Sequence, residues 1–542
     1  MSALEAKSKY SFLKNDLVFI VIFAAFAAFY YDSVLDRGPL NAHLWRQTDC
    51  LSLSHNYAAG ANFFSPEMNV LLGDEKTTGK TAGEFPILYY TVGKIWNLFG
   101  ESYLSYRLFY LMILFAGMFA FYKALRLLLN DNYWAIGISL LLFTSPTYVI
   151  YGVSFLTDAP AFSFVLVALY FFLQYILKNK AGFFYLSMAF FALGGLLKVS
   201  SLIAFVFLLS VFILEAVFRI KSLGTRKLYA GTLHEWIGFA AAILSVFSWY
   251  WYASHYNSLH SFKYTFNDIY PLWVMKEEET DALIKTMKNF AINVYFSKPI
   301  LYSLLFVGVA NLFLNKKLTV FAYLANILIP VGGVVYFILW APLMGVHDYY
   351  YIALLIVFLG VLLPFTVFIK TEFPETFKGI RLKLFFSFFL LFNFLYCLSI
   401  VKLKTLAQEG NFIMVSNHAF VTEAKWTNWD IENNWYRFAK MKPYLKEIGI
   451  NEDDKVISLP DNSFNTSLYL CGHRGWSNYM VFYEPKDVDY LIKKGARYLF
   501  ISNNETLNQE FIKPFLKEQI GEFKGIFIYK LSDNMLEPAQ QN

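Results

Sequence analysis

The chain has 542 residues, 57% of them hydrophobic and 20% aromatic, with a formal net charge of +6 and a mean hydropathy of +0.43. Soluble globular chains are about 45–50% apolar, so an ordinary soluble enzyme is excluded once the apolar residues fall in long runs, as they do here. The modest charge argues against a nucleic-acid binder, and three cysteines (Cys50, Cys397, Cys471) at no metal-ligand spacing argue against a disulfide framework.

The first apolar run has no small-residue cleavage site after it and reads as a retained anchor. A helix needs about 20 apolar residues to cross the hydrocarbon core. Eleven stretches meet that need: 16–34, 106–129, 133–152, 158–177, 182–197, 200–218, 235–253, 297–314, 318–340, 349–369 and 383–401. The fifth and sixth form one run, too long by about twofold for a single crossing. It is divided at Lys198, whose ammonium prefers the interface.

Loop charges set the expected direction. Lys7, Lys9 and Lys14 precede the first span, and Lys123 and Arg126 follow the second. Lys178 and Lys180, then Arg219, Lys221, Arg226 and Lys227, then Lys316 and Lys317, and last Lys370, Lys378, Arg381 and Lys383 fall on the same side. The short opposite loops, 153–157 and 341–347, have no Lys or Arg. The basic side is expected to be cytoplasmic, with the N-terminus inside, the C-terminus outside and the chain in the plasma membrane.

Segments 35–105, 254–296 and 402–542 then face outward. In the first, "TDCLSLSHNYAAG" and "EFPILYYTVGKIWNLFG" have the spacing of interfacial helices. "GDEKTTGKTAGE" between them is a near-miss to a phosphate-binding loop, because Asp74 stands where glycine is required. The last segment mixes helix-like and strand-like runs, "DKVISLP", "DVDYLIKKGA", "RYLFISN", "FIKPFLKEQI" and "FKGIFIYKL", and reads as a small α/β domain. The expected fold is a mainly α polytopic membrane protein with two domains: a membrane module over 1–401, carrying juxtamembrane helices in its outer loop 35–105, and an extracytoplasmic α/β domain over 402–542. Asn465 and Asn504 begin glycosylation-type triplets, which carry no weight alone.

Polar residues gather at the outer edge: Arg46 and Asp49, Glu84, Arg107, Asp158, Lys198, His347 and Asp348. Charges at membrane depth are costly and are functional candidates. Each also has a structural reading: Asp158 as a helix-dipole partner, Lys198 as a turn residue, Arg46 and Asp49 as a local salt bridge. Tyr349 to Tyr351 read first as aromatic belt, the alternative being the lining of a sugar or phosphate pocket. A divalent metal on His347, Asp348 and Glu84 is an alternative that no ligand spacing supports.

Taken together, "LWRQTD", "GEFPILYYTVGKIWNLFGESYLSYRL", "YGVSFLTDAPAFSF", "LGGLLKVSSL" and "GVHDYYYIALL" resemble the GT-C glycosyltransferases. The similarity is greatest to the bacterial branch of the protein mannosyltransferase and aminoarabinose transferase superfamily, over about the first 370 residues. Where the aminoarabinose enzymes have a lysine before two prolines, this chain has Glu84-Phe85-Pro86, and that lysine's role is not carried over. The resemblance implies transfer of a sugar, with inversion, from a polyprenyl-phosphate donor to a lipid, glycan or protein acceptor at the outer face, without a nucleotide. Asp49 is the expected base. Arg107, with Lys198 and Arg46 as further candidates, is expected at the donor phosphate. Asp158, Glu84, His347, Asp348, Tyr349 and Tyr350 are expected near acceptor or sugar. The rival readings are a lipid-sugar transporter, which calls for midplane charges and paired repeats, and a non-catalytic anchor for the outer domain.

Overall fold

A computed structural model describes residues 3–40, 43–262, 268–406, 418–479 and 483–532, with side chains from Asn15 onward. The chain divides into two compact units, each built from three segments. One comprises Met1–Asp36, Arg107–Trp249 and Asp268–Glu423; the other comprises Arg37–Tyr106, Tyr250–Asn267 and Ala424–Asn542. The first outer segment and the C-terminal segment, distinct in the sequence, thus cluster into one body.

In the first unit the apolar runs become helices. Among the described residues, Tyr103–Leu129, Asp158–Lys178, Val199–Ala216, Leu233–Leu259, Val320–Leu339, Asp348–Glu372 and Ile380–Thr405 are long and apolar enough to cross a membrane. These seven become nine if each of two bent pairs counts as one span. Asn15–Tyr31 and Ala181–Leu197 are shorter apolar helices. Every expected span overlaps a helix; by length and composition seven to nine of them, among the described residues, qualify as crossings, and the two shorter apolar helices coincide with the first and fifth expected spans. The break expected at Lys198 is present: its extended backbone (φ −159°, ψ 109°) separates Ala181–Leu197 from the 3₁₀ turn Val199–Leu202.

The third expected span is not one straight helix. Asn132–Leu142 and Pro146–Gly152 meet at 78°. Pro146 lacks an amide hydrogen and disfavours helical backbone at the residue before it, so Ser145 is extended (φ −75°, ψ 113°). Helix contacts here use small residues, as is usual between membrane helices. A Cβ on Gly117 would stand 2.7 Å from the Cβ of Ser163, so glycine lets the helix of Arg107 approach the helix of Asp158.

The second unit contains a five-stranded sheet of β1 (Lys455–Leu459), β2 (Gly475–Trp476), β3 (Ala496–Ile501), β4 (Glu518–Phe523) and β5 (Ile526–Lys530), in the order β2-β1-β3-β5-β4. β1 pairs in parallel with β2 and β3, while β5 runs antiparallel to β3 and β4. Val456 to Leu459 are all buried, as expected for a central strand covered on both faces. Lys524 and Gly525, both at positive φ, form the two-residue turn between β4 and β5. The run "FIKPFLKEQI" divides between the 3₁₀ turn Lys513–Phe515 and the start of edge strand β4. The near-miss loop is a tight turn, with Asp74, Glu75 and Lys76 in succession at positive φ and Trp476 Nε1 donating to the Lys76 carbonyl at 3.1 Å.

The outer-segment helices depart from expectation in one respect. Ile87–Phe99 is amphipathic: Leu88, Val92 and Trp96 are buried, while Leu98 and Phe99 are exposed. Leu44–Ala58 is not interfacial, because twelve of its fifteen residues are buried, polar ones included. Its polar side chains find partners inside the unit, which removes the cost of burying them. The two helices touch closely: a Cβ on Gly93 would meet Tyr57 Cβ at 2.6 Å and the Ser54 carbonyl at 2.9 Å.

Candidate active site

The expected site residues fall into two clusters, one in each unit. In the second unit the helix Leu44–Ala58 presents Arg46 and Asp49 one turn apart. Arg46 pairs with Glu84, both buried. Its main partner is therefore not Asp49, although its charge still bears on that carboxylate. Asp49, only 2% exposed, accepts a hydrogen bond from Asn465 Nδ2 at 2.8 Å. Burial pushes the Asp49 carboxyl up to about 7, the Arg46 charge opposes the rise, and Glu84 and Asp461 add to it. A carboxyl poised there can hold or release a proton near neutrality, as a general base must.

The segment that carries Asn465 is itself organised by a buried carboxylate. Asp461 accepts from the amides of Ser463 and Ser467, both at 2.8 Å, and from the Ser467 hydroxyl at 2.6 Å. Burial raises its proton affinity against these bonds. Thr48 and Thr466 hydroxyls meet at 3.0 Å beside the Asp49–Asn465 pair. Ser52 and Asn56 reach Asn69, whose amide donates to the His473 carbonyl at 3.1 Å. Asn465 and Asp461 were not singled out from the sequence as site residues; the first was noted only as part of a glycosylation-type triplet.

In the first unit the bend at Ser145 sets the stage. It places Pro146–Gly152 so that the Thr147 hydroxyl donates to the Asp348 carbonyl at 3.0 Å and the Tyr151 hydroxyl donates to the Asp348 carboxylate. Lys404, at the end of the last span, pairs with the same carboxylate. Asp158 pairs with Lys198 at 3.3 Å. The Lys198 ammonium lies over the Tyr350 and Tyr349 rings, 4.7 and 5.6 Å from their centroids, within the range of a cation–π contact. Tyr349 in turn packs edge-on against Tyr151 at 5.7 Å.

Arg107 is 2% exposed. It donates to the Val153 carbonyl at 2.6 Å and lies over the Phe155 ring at 4.3 Å. Residues 151–155 thus link Arg107 to the Asp348–Lys404 and Asp158–Lys198 pairs. The His347 ring packs against Tyr349 and Tyr350, at 5.2 and 5.5 Å. Tyr349, Tyr350 and Tyr351 are all buried, so the aromatic-belt reading is corrected: their rings pack inside the unit. Among the described residues, no three His, Cys, Asp or Glu side chains are grouped to hold a metal ion. Three cations, Arg107, Lys198 and Lys404, thus gather in one network with Asp158 and Asp348, and guanidinium and ammonium groups are the usual partners of a phosphate. Lys404 and Tyr151 were missed in the sequence. Lys404 directly follows the last apolar run, at the edge where the other candidates lie, and that position was the available signal.

The fold is that of the GT-C glycosyltransferases, the class the sequence motifs resemble, and the chain is a multi-pass membrane protein. The profile of the dolichyl-phosphate-mannose-protein mannosyltransferase family matches residues 83–251. Among solved structures, apo ArnT from Cupriavidus metallidurans aligns with a TM-score of 0.53 at 12% identity, covering 98% of this chain and 100% of its own. ArnT from the same organism bound to undecaprenyl phosphate aligns with a TM-score of 0.53 at 12% identity, covering 96% of this chain and 99% of its own. The oligosaccharyltransferase AglB from Archaeoglobus fulgidus, in complex with an inhibitory peptide and a dolichol-phosphate, gives a TM-score of 0.51 at 12% identity, covering 90% of this chain and 69% of its own. No curated protein sequence matches significantly.

Proposed function

We propose that this protein is a membrane glycosyltransferase that moves a sugar from a polyprenyl-phosphate donor to a glycan, lipid or protein acceptor on the side of the membrane opposite the basic loops. The class is supported by the family match over 83–251 and by the shared fold. The donor is supported by the undecaprenyl phosphate and dolichol-phosphate held by the two fold relatives. The concentration of Lys and Arg in one set of loops supports an orientation with the N-terminus and those loops in the cytoplasm and the α/β domain outside.

Transfer requires the acceptor hydroxyl to lose its proton as its oxygen attacks the anomeric carbon. The bond from that carbon to the phosphate oxygen breaks, and the phosphate leaves with the electron pair. Asp49 takes the proton; Asn465 holds its carboxylate and Arg46, paired with Glu84, fixes the local field. Arg107 binds the departing phosphate through its guanidinium fork, with Lys198 and Lys404 as further cations. Asp158, His347, Asp348, Tyr349 and Tyr350 order that cluster and contact the sugar. Direct displacement needs one base only, and inversion follows.

The observation that carries the assignment of the base is the buried Asp49 carboxyl, held by Asn465 and poised near pH 7. The test is mass spectrometry of envelope glycans and lipids from cells that make the wild type or Asp49→Asn at equal level. Loss of one sugar modification in the variant supports the assignment; an unchanged glycan profile ends it.

A further inference from the structure

The first unit holds a cavity of about 400 Å³ that the proposed reaction does not use. Leu125, Phe172, Phe207, Phe321 and Leu359 line it, and the charged residue at its wall is Arg226. Its size falls within the range of about 300–1,000 Å³ typical of ligand sites, with the usual pattern of apolar walls and few polar groups. It lies far from the cation cluster. Leu125 is about five turns beyond Arg107 on the same helix, roughly 27 Å along the axis at 1.5 Å per residue. Leu359 is about two turns into the helix Tyr351–Glu372, which follows the 3₁₀ turn of Asp348. The cavity therefore sits at the end of the helices where the basic loops are.

The loop that carries Arg226 is built, not incidental. The buried Glu215 carboxylate accepts from the amides of Leu228 and Tyr229, at 2.7 and 2.9 Å, and from the Ser222 hydroxyl. Glu235, fully buried, accepts from the Ala230 amide at 2.9 Å and from the Tyr175 hydroxyl at 2.6 Å. The Ser222 carbonyl accepts from the Phe321 amide at 2.9 Å, which ties the loop to the next wall of the cavity. Between these anchors, Leu223 and Arg226 pair across a tight turn whose Gly224 has a φ of +67°. Both glutamates are spent on the loop. Among the described residues, the exposed Arg226 guanidinium has neither a carboxylate nor a hydrogen-bond partner.

We infer that this cavity binds one acyl chain of an anionic phospholipid, with its phosphate on Arg226. The site lies in the leaflet next to the basic loops. Greasy walls take the chain out of competition with polar ligands, and a free guanidinium on a fixed turn matches a phosphate bidentately. A basic pocket between membrane helices on that side is suited to an anionic headgroup. The inference goes beyond the transfer reaction and does not depend on it.

The test is native mass spectrometry of the full-length protein in detergent, titrated with phosphatidylglycerol, with phosphatidylcholine of the same chains, and with undecaprenyl phosphate. One phosphatidylglycerol is expected to bind about tenfold more tightly than phosphatidylcholine, as one charge-assisted contact allows. Arg226→Gln, an exposed change that leaves the helices intact, is expected to abolish that preference. Ala322→Phe, which fills the cavity, is expected to weaken both phospholipids. Arg107→Gln is expected to leave phosphatidylglycerol binding unchanged. Equal retention of the two phospholipids by the wild type overturns the proposal, as does a preference that survives Arg226→Gln. Phosphatidylglycerol binding that depends on Arg107 also overturns it, and so does Arg226-dependent binding that favours undecaprenyl phosphate.

Discussion

Asn465 Nδ2 donates to Asp49 Oδ1 at 2.8 Å, joining residues 416 positions apart. The bond favours the charged carboxylate and so opposes the burial that raises its proton affinity. Asn465→Ala removes that support. The acid limb of the transfer rate against pH is expected to move to higher pH, and the rate at pH 7 to fall by about tenfold. A purely structural role for Asn465 would lower the rate without moving the limb.

Asp49 also makes stability depend on pH. Its carboxyl titrates near 7 in the folded protein, against about 3.9 in an unfolded chain. Between those values the folded state holds a proton that the unfolded state has released. The contribution of Asp49 to stability is therefore most favourable below about pH 4 and falls as pH rises towards 7, by an amount on the order of 4 kcal/mol. Asp49→Asn removes this penalty. Thermal unfolding in detergent is expected at higher temperature than wild type at pH 8 and at nearly the same temperature at pH 4, while transfer is lost.

Lys404 and Asp348 form a partly buried pair. Lys404→Met leaves a carboxylate with the Tyr151 hydroxyl but without its cation, a change expected to cost about 3 kcal/mol. Adding Asp348→Asn is expected to recover most of that loss, which a denaturation series on the two single variants and the double variant measures. Additive losses would show that the two side chains do not act as a pair.

Arg107 holds the Val153 carbonyl and covers the Phe155 ring at once. An ammonium is a single point charge and cannot reproduce a planar fork that also stacks. Arg107→Lys is expected to raise the KM for a polyprenyl-phosphate sugar by about tenfold, with a smaller change in kcat. Retained donor affinity in this variant removes Arg107 from the phosphate site.

The membrane helices were legible because about 20 apolar residues in a row have few other uses, and the division at Lys198 followed from the cost of a buried ammonium. The strands around Val456 and Leu499 were legible as short apolar runs between turn residues. Two features were not. The burial of Leu44–Ala58 depends on partners such as Asn69 and Asn465, and the spacing of one helix says nothing about a hydrogen bond from another part of the chain. The bend at Pro146 was open to sequence reading, but the hydropathy of 133–152 hid it, since a broken and an unbroken helix have the same composition. Lys404 was lost for the opposite reason: it looked like one more flanking lysine, and only its pairing with Asp348 sets it apart.

The helix Leu44–Ala58 emerges from the ribosome long before the residues around 461–467 that complete it. Throughout synthesis of the spans it waits, with Thr48 and Asp49 lacking Thr466 and Asn465. A message cut between the last span and Asn465 yields a chain that holds the described apolar helices but an incomplete second unit. Such a chain leaves the buried Asp49 carboxylate without the amide that bonds it in the complete protein.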